Sequence, residues 1–144
     1  MKSIIVSALA FILSSNTFGQ TQPGTQNLAV TVTNIQKTGK NLIFGIFRKS
    51  DPFLVFDKSW KTELVQANGP SVTISFEIPY GDYAIALTHD LNGNGKLDKN
   101  FFGVPKEPYG FSQNFHPKLS SPDFDDCKIS FTTPNQAITI KLIN

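Results

Sequence analysis

SVTISFEI, residues 71–78, alternates apolar and polar side chains without a break. Its apolar positions share one face of an extended chain: Val72, Ile74, Phe76 and Ile78. Alternation with a period of two, in a segment rich in β-branched and aromatic residues, predicts a half-buried β-strand. We therefore expect a sheet with one face turned toward an apolar core.

Further segments read as strands on the same grounds. They are residues 27–35, 42–47, 83–87, 126–132 and 137–143. Turn residues separate them at short intervals, and residues 48–67 read as either a short helix or an irregular loop. The pattern predicts an all-β fold, a single antiparallel β-sandwich of six or seven strands with one long loop after Asp90.

The N-terminal residues predict an exported protein. Lys2 is basic, residues 4–13 are an apolar run, and Thr17 and Gly19 are small residues before Gln20. This is the pattern of a secretory signal peptide over residues 1–19, and the run is shorter than the roughly 20 residues of a transmembrane helix. Residues 20–26 are expected to form a flexible leader and 27–144 the sandwich domain, without a membrane span. The predicted location is periplasmic or secreted.

The amino-acid composition limits the classes of function that this protein can have. The 144 residues suit one domain, and the chain carries 13 Lys and Arg against 11 Asp and Glu. No cluster of basic residues favours nucleic acid as a partner. Cys127 is the single cysteine, so no intramolecular disulfide can form. Alternation places it with Ile129 and Phe131 on a buried face, as a small apolar residue.

The long loop opens with DLNGNGKLD, residues 90–98. Short oxygen-bearing side chains at alternating positions, with glycines between them, match the first half of an EF-hand calcium loop. Lys96 would contribute a backbone carbonyl, and Asp98 occupies the ninth position of the loop. The predicted calcium ligands are Asp90, Asn92, Asn94, Lys96, Asp98 and Glu107.

The match to a calcium loop is incomplete. The twelfth position, where a bidentate glutamate belongs, is Phe101, and no flanking helices are predicted. Glu107 would have to fold back to replace the missing carboxylate. The alternative is a metal-free turn, because Asn-Gly-Asn-Gly favours tight turns by itself.

Sequence motifs for catalysis are absent, and the chain is predicted not to be an enzyme. There is no Gly-x-Ser-x-Gly elbow around a serine and no close ligand spacing for zinc around His89 or His116. One alternative remains, a small metal-dependent hydrolase using His89, Asp90 and Glu107.

The loops are also rich in phenylalanine. These rings either form a carbohydrate-binding platform or pack as a small core beneath the long loops. They are Phe53, Phe56, Phe101, Phe102, Phe111 and Phe115.

Three linked motifs carry a resemblance to a known family. They are IPYGDYAIA at 78–86, HDLNGNGKLD at 89–98 and FGVPKEPYGFS at 102–112. Together they closely resemble the bacterial exported family called domain of unknown function 2141, over about residues 28–143. The resemblance implies a small exported β-sandwich and no established activity.

A looser likeness links the Pro-x-Gly-x-Tyr turn at 79–83 to transthyretin-like and collagen-adhesin B-type modules. Some of those immunoglobulin-like sandwiches carry D-x-N-x-N-G-x-x-D calcium loops, and Asp90, Asn92, Asn94 and Asp98 match that pattern. Fold likeness alone argues only by analogy. The expected function is an exported, non-catalytic binding or structural module of the bacterial cell envelope, with an envelope protein or carbohydrate as partner.

Overall fold

The computed structural model describes residues 24–100 and 103–144 and places eight β-strands there. The strands are β1 (Gln26–Thr33), β2 (Asn41–Phe47), β3 (Lys61–Gln66), β4 (Val72–Ile78), β5 (Gly81–Asp90), β6 (Tyr109–Phe111), β7 (Lys128–Phe131) and β8 (Gln136–Lys141). Helical structure in these ranges consists of two 3₁₀ turns, Phe56–Lys58 and Ser112–Asn114, and one turn of α-helix, α1 (Phe124–Cys127). No helix in the same ranges is long and apolar enough to cross a membrane.

Two sheets pack against each other, which confirms the predicted β-sandwich. One sheet has the strand order β4-β1-β8, and the other has β3-β2-β5-β6 with β7 also paired to β5. The first half of β5 pairs with β7 and the second half with β6. The described pairs are antiparallel except for β1 and β8, which run parallel. The predicted signal peptide, residues 1–19, and residues 20–23 of the leader lie outside the described residues, and β1 begins at Gln26.

The structure has more strands than the six or seven predicted, because β3 and β6 add to the count. β3 lies at the edge of its sheet, and its exposed and half-buried residues alternate. It carries Lys61 and Glu63, and charged side chains are common on edge strands because they discourage pairing with other chains. Those charges weaken the apolar pattern, so residues 48–67 did not read as containing a strand. β6 is only three residues long, too short for a period to show.

The main core lies between the two sheets. Leu28, Val30 and Val32 of β1 are fully buried and pair with Phe76, Ile74 and Val72 of β4. The Phe76 ring also meets Phe44 of β2 edge-to-face, with the ring centroids 5.3 Å apart. The predicted apolar face of residues 71–78 is therefore confirmed. Phe76 and Ile78 are buried, whereas Val72 and Ile74 are half-buried at the margin of the core.

A second apolar cluster covers the outer face of the five-stranded sheet. Phe47 is its centre, and Phe53 and Phe56 pack edge-to-face on it with centroid distances of 5.1 and 5.9 Å. Phe111 and Phe115 belong to the same cluster. The interpretation of these loop phenylalanines as a small core is thus confirmed for the four rings that the structure describes. Phe101 and Phe102 lie outside the described residues.

Cys127 is buried, as predicted, but on a different face from the one expected. It belongs to the second cluster with Phe124, whereas Ile129 and Phe131 face the main core. The reason is local: Asp123 caps the single turn of α1, which ends at Cys127, so Cys127 lies in a helical turn and the alternating strand β7 begins only at Lys128. Burial raises the pKa of the Cys127 thiol to about 12, which keeps the sulfur protonated at neutral pH.

Candidate functional site

Asp90 organises the long loop. It ends β5 and is only 4% exposed. Its Oδ1 accepts hydrogen bonds from the backbone N–H groups of Gly93 (2.8 Å) and Asn94 (3.1 Å), and its Oδ2 accepts one from Gly95 (2.8 Å). Gly93 and Gly95 have φ values of 76° and 74°, a left-handed conformation that glycine adopts without strain. The chain can therefore wrap its donors around one carboxylate.

The side chains of Asn92, Asn94 and Asp98 close the loop on its exposed side. Both asparagine amides donate to Asp98 Oδ2, the one from Asn94 at 2.9 Å. The amide oxygens accept backbone hydrogen bonds two residues further on, at 3.0 Å for Asn92 and 2.9 Å for Asn94. Lys96, the predicted carbonyl ligand, lies on this exposed segment. The spacing of the asparagines thus makes two consecutive side-chain turns.

Glu107 folds back onto the same loop. Its side chain is 7% exposed, and Oε1 accepts from the N–H of Leu91 at 2.9 Å and of Asn92 at 3.5 Å. Oε2 accepts from the N–H of Asp98 at 3.4 Å. The return of the chain is held by a backbone hydrogen bond from Lys106 N–H to the Asp98 carbonyl, 2.8 Å long. Sequence spacing alone did not show this contact.

The oxygen atoms of the loop retain some capacity for a cation. Asp98 Oδ1 accepts no hydrogen bond from the described residues, and Asp90 Oδ2 accepts a single one. A cavity of about 500 Å³ lies beside Asp98 and Glu107, lined also by Lys99 and Lys106. Hard oxygen donors of this kind suit calcium.

The described residues do not present a closed metal site. Among them, no group of three or more His, Cys, Asp or Glu side chains is arranged to hold a metal ion. For calcium to bind, the amides of Asn92 and Asn94 would have to turn their oxygens toward Asp98 Oδ1. The two lysines on the cavity wall would oppose a cation.

His89 is buried beside this loop. It lies on the core face of β5 with Tyr83, Ile85 and Leu87, as predicted, and its side chain is fully buried. Neither ring nitrogen has a hydrogen-bond partner among the described residues. Burial lowers the pKa of His89, and the opposing charges of Glu107 and Asp90 only partly offset that effect. The imidazole is therefore held neutral at pH 7.

The residues of the hydrolase alternative are not joined as a catalytic group. Asp90 follows His89 on β5, so their side chains point to opposite faces of the strand. No hydrogen bond from either His89 nitrogen reaches Asp90 or Glu107. His116 is exposed on the segment after the second 3₁₀ turn. Ser112 is buried, and its hydroxyl bonds with the backbone of Ile85 and Cys127, which is a structural role.

A larger groove of about 990 Å³ lies on the outer face of the five-stranded sheet. Its floor comes from β2, β5 and β6, and its walls come from residues 54–57, the loop after Asp90 and the segment 117–122. Sequence reasoning missed this groove. The signal that pointed to it was isolated apolar residues in polar, proline-rich loops, such as Val104 and Leu119.

One family model matches this chain over residues 30–139, and its description is an uncharacterized protein conserved in bacteria, domain of unknown function 2141. The chain belongs to this family. The match begins within β1, ends within β8 and includes both the Asp90–Asp98 loop and Glu107. No curated protein and no solved structure matches the chain. Membership in domain of unknown function 2141 confirms the resemblance seen in the sequence motifs and carries no activity with it.

Proposed function

We propose that this protein is an exported, non-catalytic module of the bacterial cell envelope whose 90–98 loop binds calcium. The observation that carries the proposal is the position of Glu107. Its carboxylate is buried against the backbone of the loop that Asp90 organises. That position lets a third carboxylate supplement Asp90 and Asp98, where an EF-hand loop would use its twelfth residue.

The oxygen atoms available also set the expected strength of binding. Asp90 already accepts three backbone hydrogen bonds, so its role is mainly to shape the loop. Asp98 offers the free oxygen, and Glu107, the Asn92 and Asn94 side-chain oxygens and the Lys96 carbonyl would complete the set. With few free carboxylate oxygens and two lysines nearby, we expect weak affinity, on the order of 10⁻⁴ to 10⁻³ M, as in extracellular modules.

Calcium supplied to the purified mature protein tests this proposal. At a Kd of about 10⁻⁴ M, 10 mM calcium should stabilise the fold by about 2.7 kcal/mol, whereas magnesium should do much less. Asp98→Asn removes the free carboxylate oxygen and should abolish most of the rise in melting temperature. Asp57→Asn is the matched control, because Asp57 is exposed on a 3₁₀ turn of a different loop. A melting temperature that stays constant up to 10 mM calcium would overturn the calcium proposal.

Export has an independent test. The pattern of residues 1–19 supports cleavage before Gln20. Intact mass of the protein recovered from periplasm or medium should correspond to residues 20–144. A chain that still carries Met1 and stays with the cytoplasmic fraction would contradict this part.

A further inference from the structure

The groove on the outer face of the five-stranded sheet has an apolar floor. Ile43, Ala86 and Phe111 line it, and all three are at most 8% exposed. Thr88 lies beside them, and its hydroxyl donates a 3.3 Å hydrogen bond to the Pro108 carbonyl. The floor is therefore lined by apolar side chains, and the hydroxyl of Thr88 is already engaged. A groove of about 990 Å³ is at the upper end of the range for small-molecule sites.

The rim of the groove exposes apolar side chains to solvent. Val55, Val104 and Leu119 line it and are 39%, 53% and 102% exposed. Five large apolar side chains are exposed in the described part of the chain, and these are three of them. Clustering of exposed apolar residues around one concavity marks a binding surface better than scattered ones do. Leu54 on the same wall has a φ of 68°, a strained conformation for leucine that tends to occur at ligand-binding positions.

The charges on the lining have one predominant sign. Lys96, Lys99 and Lys118 line the groove, and Asp57 is the one acidic residue on its described lining. None of the three lysines forms an ion pair with a described residue. Exposed, unpaired lysines around apolar surface attract a ligand with an anionic head and an apolar body.

We propose that this groove binds a single-chain aliphatic carboxylate, with its hydrocarbon on the sheet and its head among the three lysines. A carbohydrate would need many free donors and acceptors, whereas the floor is apolar. A linear hydrocarbon chain suits the apolar floor, and each CH₂ group that it buries there strengthens binding about fourfold. The proposal goes beyond the calcium loop and does not depend on it.

Dodecanoate below its micellar concentration is the probe, titrated calorimetrically into the mature protein with a chelator present. We expect binding of one dodecanoate per chain, weakened up to about 15-fold for decanoate, which is two CH₂ groups shorter. Dodecyltrimethylammonium, with a chain one carbon longer and a cationic head, should bind much more weakly. Raising the salt concentration should weaken dodecanoate binding, because the lysines are exposed and screened by salt.

Two triple variants of equal charge change test the role of the lysines. Lys96→Glu/Lys99→Glu/Lys118→Glu should weaken dodecanoate binding by at least about tenfold. Lys37→Glu/Lys40→Glu/Lys141→Glu places the same charges on lysines outside the groove lining and should leave affinity within about twofold. Leu119→Asp tests the apolar rim at a fully exposed position, where the substitution cannot disturb the core. It should also weaken binding, with the melting temperature unchanged.

Several results would overturn the proposal. One is no binding of dodecanoate at 1 mM by the unmodified protein. Another is an equal loss of affinity in the two triple variants, which would assign the effect to net charge. A third is that the unmodified protein sediments with phosphatidylglycerol vesicles but does not bind dodecanoate. If the Lys96→Glu/Lys99→Glu/Lys118→Glu variant then fails to sediment, the surface would be assigned to a membrane instead.

Discussion

Replacing Glu107 with Gln tests whether its carboxylate holds the long loop in place. The substitution keeps the size of the side chain but removes its charge and exchanges one acceptor oxygen for a donor N–H₂ group. Of the three backbone contacts, the 2.9 Å bond from Leu91 N–H has good geometry, and those at 3.4 and 3.5 Å are at the limit. A hydrogen bond to a charged group contributes about 1.5–3 kcal/mol, and Glu107 is only 7% exposed, so water cannot easily replace it. We therefore expect the free energy of unfolding to fall by about 1.5–3 kcal/mol.

Urea denaturation in the presence of a chelator measures this effect without any contribution from calcium. For a domain of this size the expected loss corresponds to a fall in melting temperature of roughly 5–15 °C. The matched control is Glu63→Gln on edge strand β3, where Glu63 pairs with Lys61 at 2.9 Å and both side chains are partly exposed. An ion pair of that kind contributes about 1 kcal/mol or less.

The comparison of the Glu107→Gln and Glu63→Gln variants decides whether the Glu107 carboxylate stabilises the loop. If Glu107→Gln and Glu63→Gln differ by less than about 0.5 kcal/mol, the Glu107 carboxylate does not brace the loop. Repeating the melts with 10 mM calcium then separates bracing from metal binding. A variant that is destabilised in chelator yet retains the full calcium response would confine Glu107 to the structural role.

Three further outcomes follow from burial. Phe76→Ala should lower the free energy of unfolding by about 3–5 kcal/mol in a denaturant titration, because the ring is 1% exposed. Ser75→Ala, on the opposite face of β4, should lower it by less than about 0.5 kcal/mol. Equal losses would mean that the register of β4 is wrong. Because the pKa of His89 is lowered in the folded protein, the unfolded chain binds a proton at this residue first as pH falls below 6.5, and the free energy of unfolding should decrease there by up to about 1.4 kcal/mol per pH unit. In pH-dependent melts, His89→Gln should flatten that slope. His116→Gln, at an exposed position, should leave the slope unchanged. Native Cys127 should resist alkylation by iodoacetamide at pH 8 and react in urea, since its pKa is about 12, and rapid native labelling would contradict its burial.

Patterns of period two predicted much of this fold, because the sandwich buries one face of most strands. The residues of 71–78 alternate as expected, and the strand pairs with β1, with Leu28 opposite Phe76. β3 was not predicted, because an edge strand is stabilised by backbone pairing while its side chains stay half-exposed and partly charged. Cys127 was assigned to the wrong face because it lies in a capped helical turn and not in the alternating strand β7. The apolar pattern does not indicate such a turn unless its cap is recognised.

In the candidate site, too, one part follows from local sequence and another only from tertiary packing. The sequence by itself determined the 90–98 turn, because alternating short polar residues and glycines dictate which backbone N–H groups Asp90 can reach. Only the tertiary structure decided that Glu107 returns to that turn, since pairing of β6 with β5 carries the carboxylate back across 17 residues of chain. The groove is also tertiary in origin. Its lysines and apolar rim residues come from three separated segments, and packing on one sheet face, which no local periodicity encodes, brings them together.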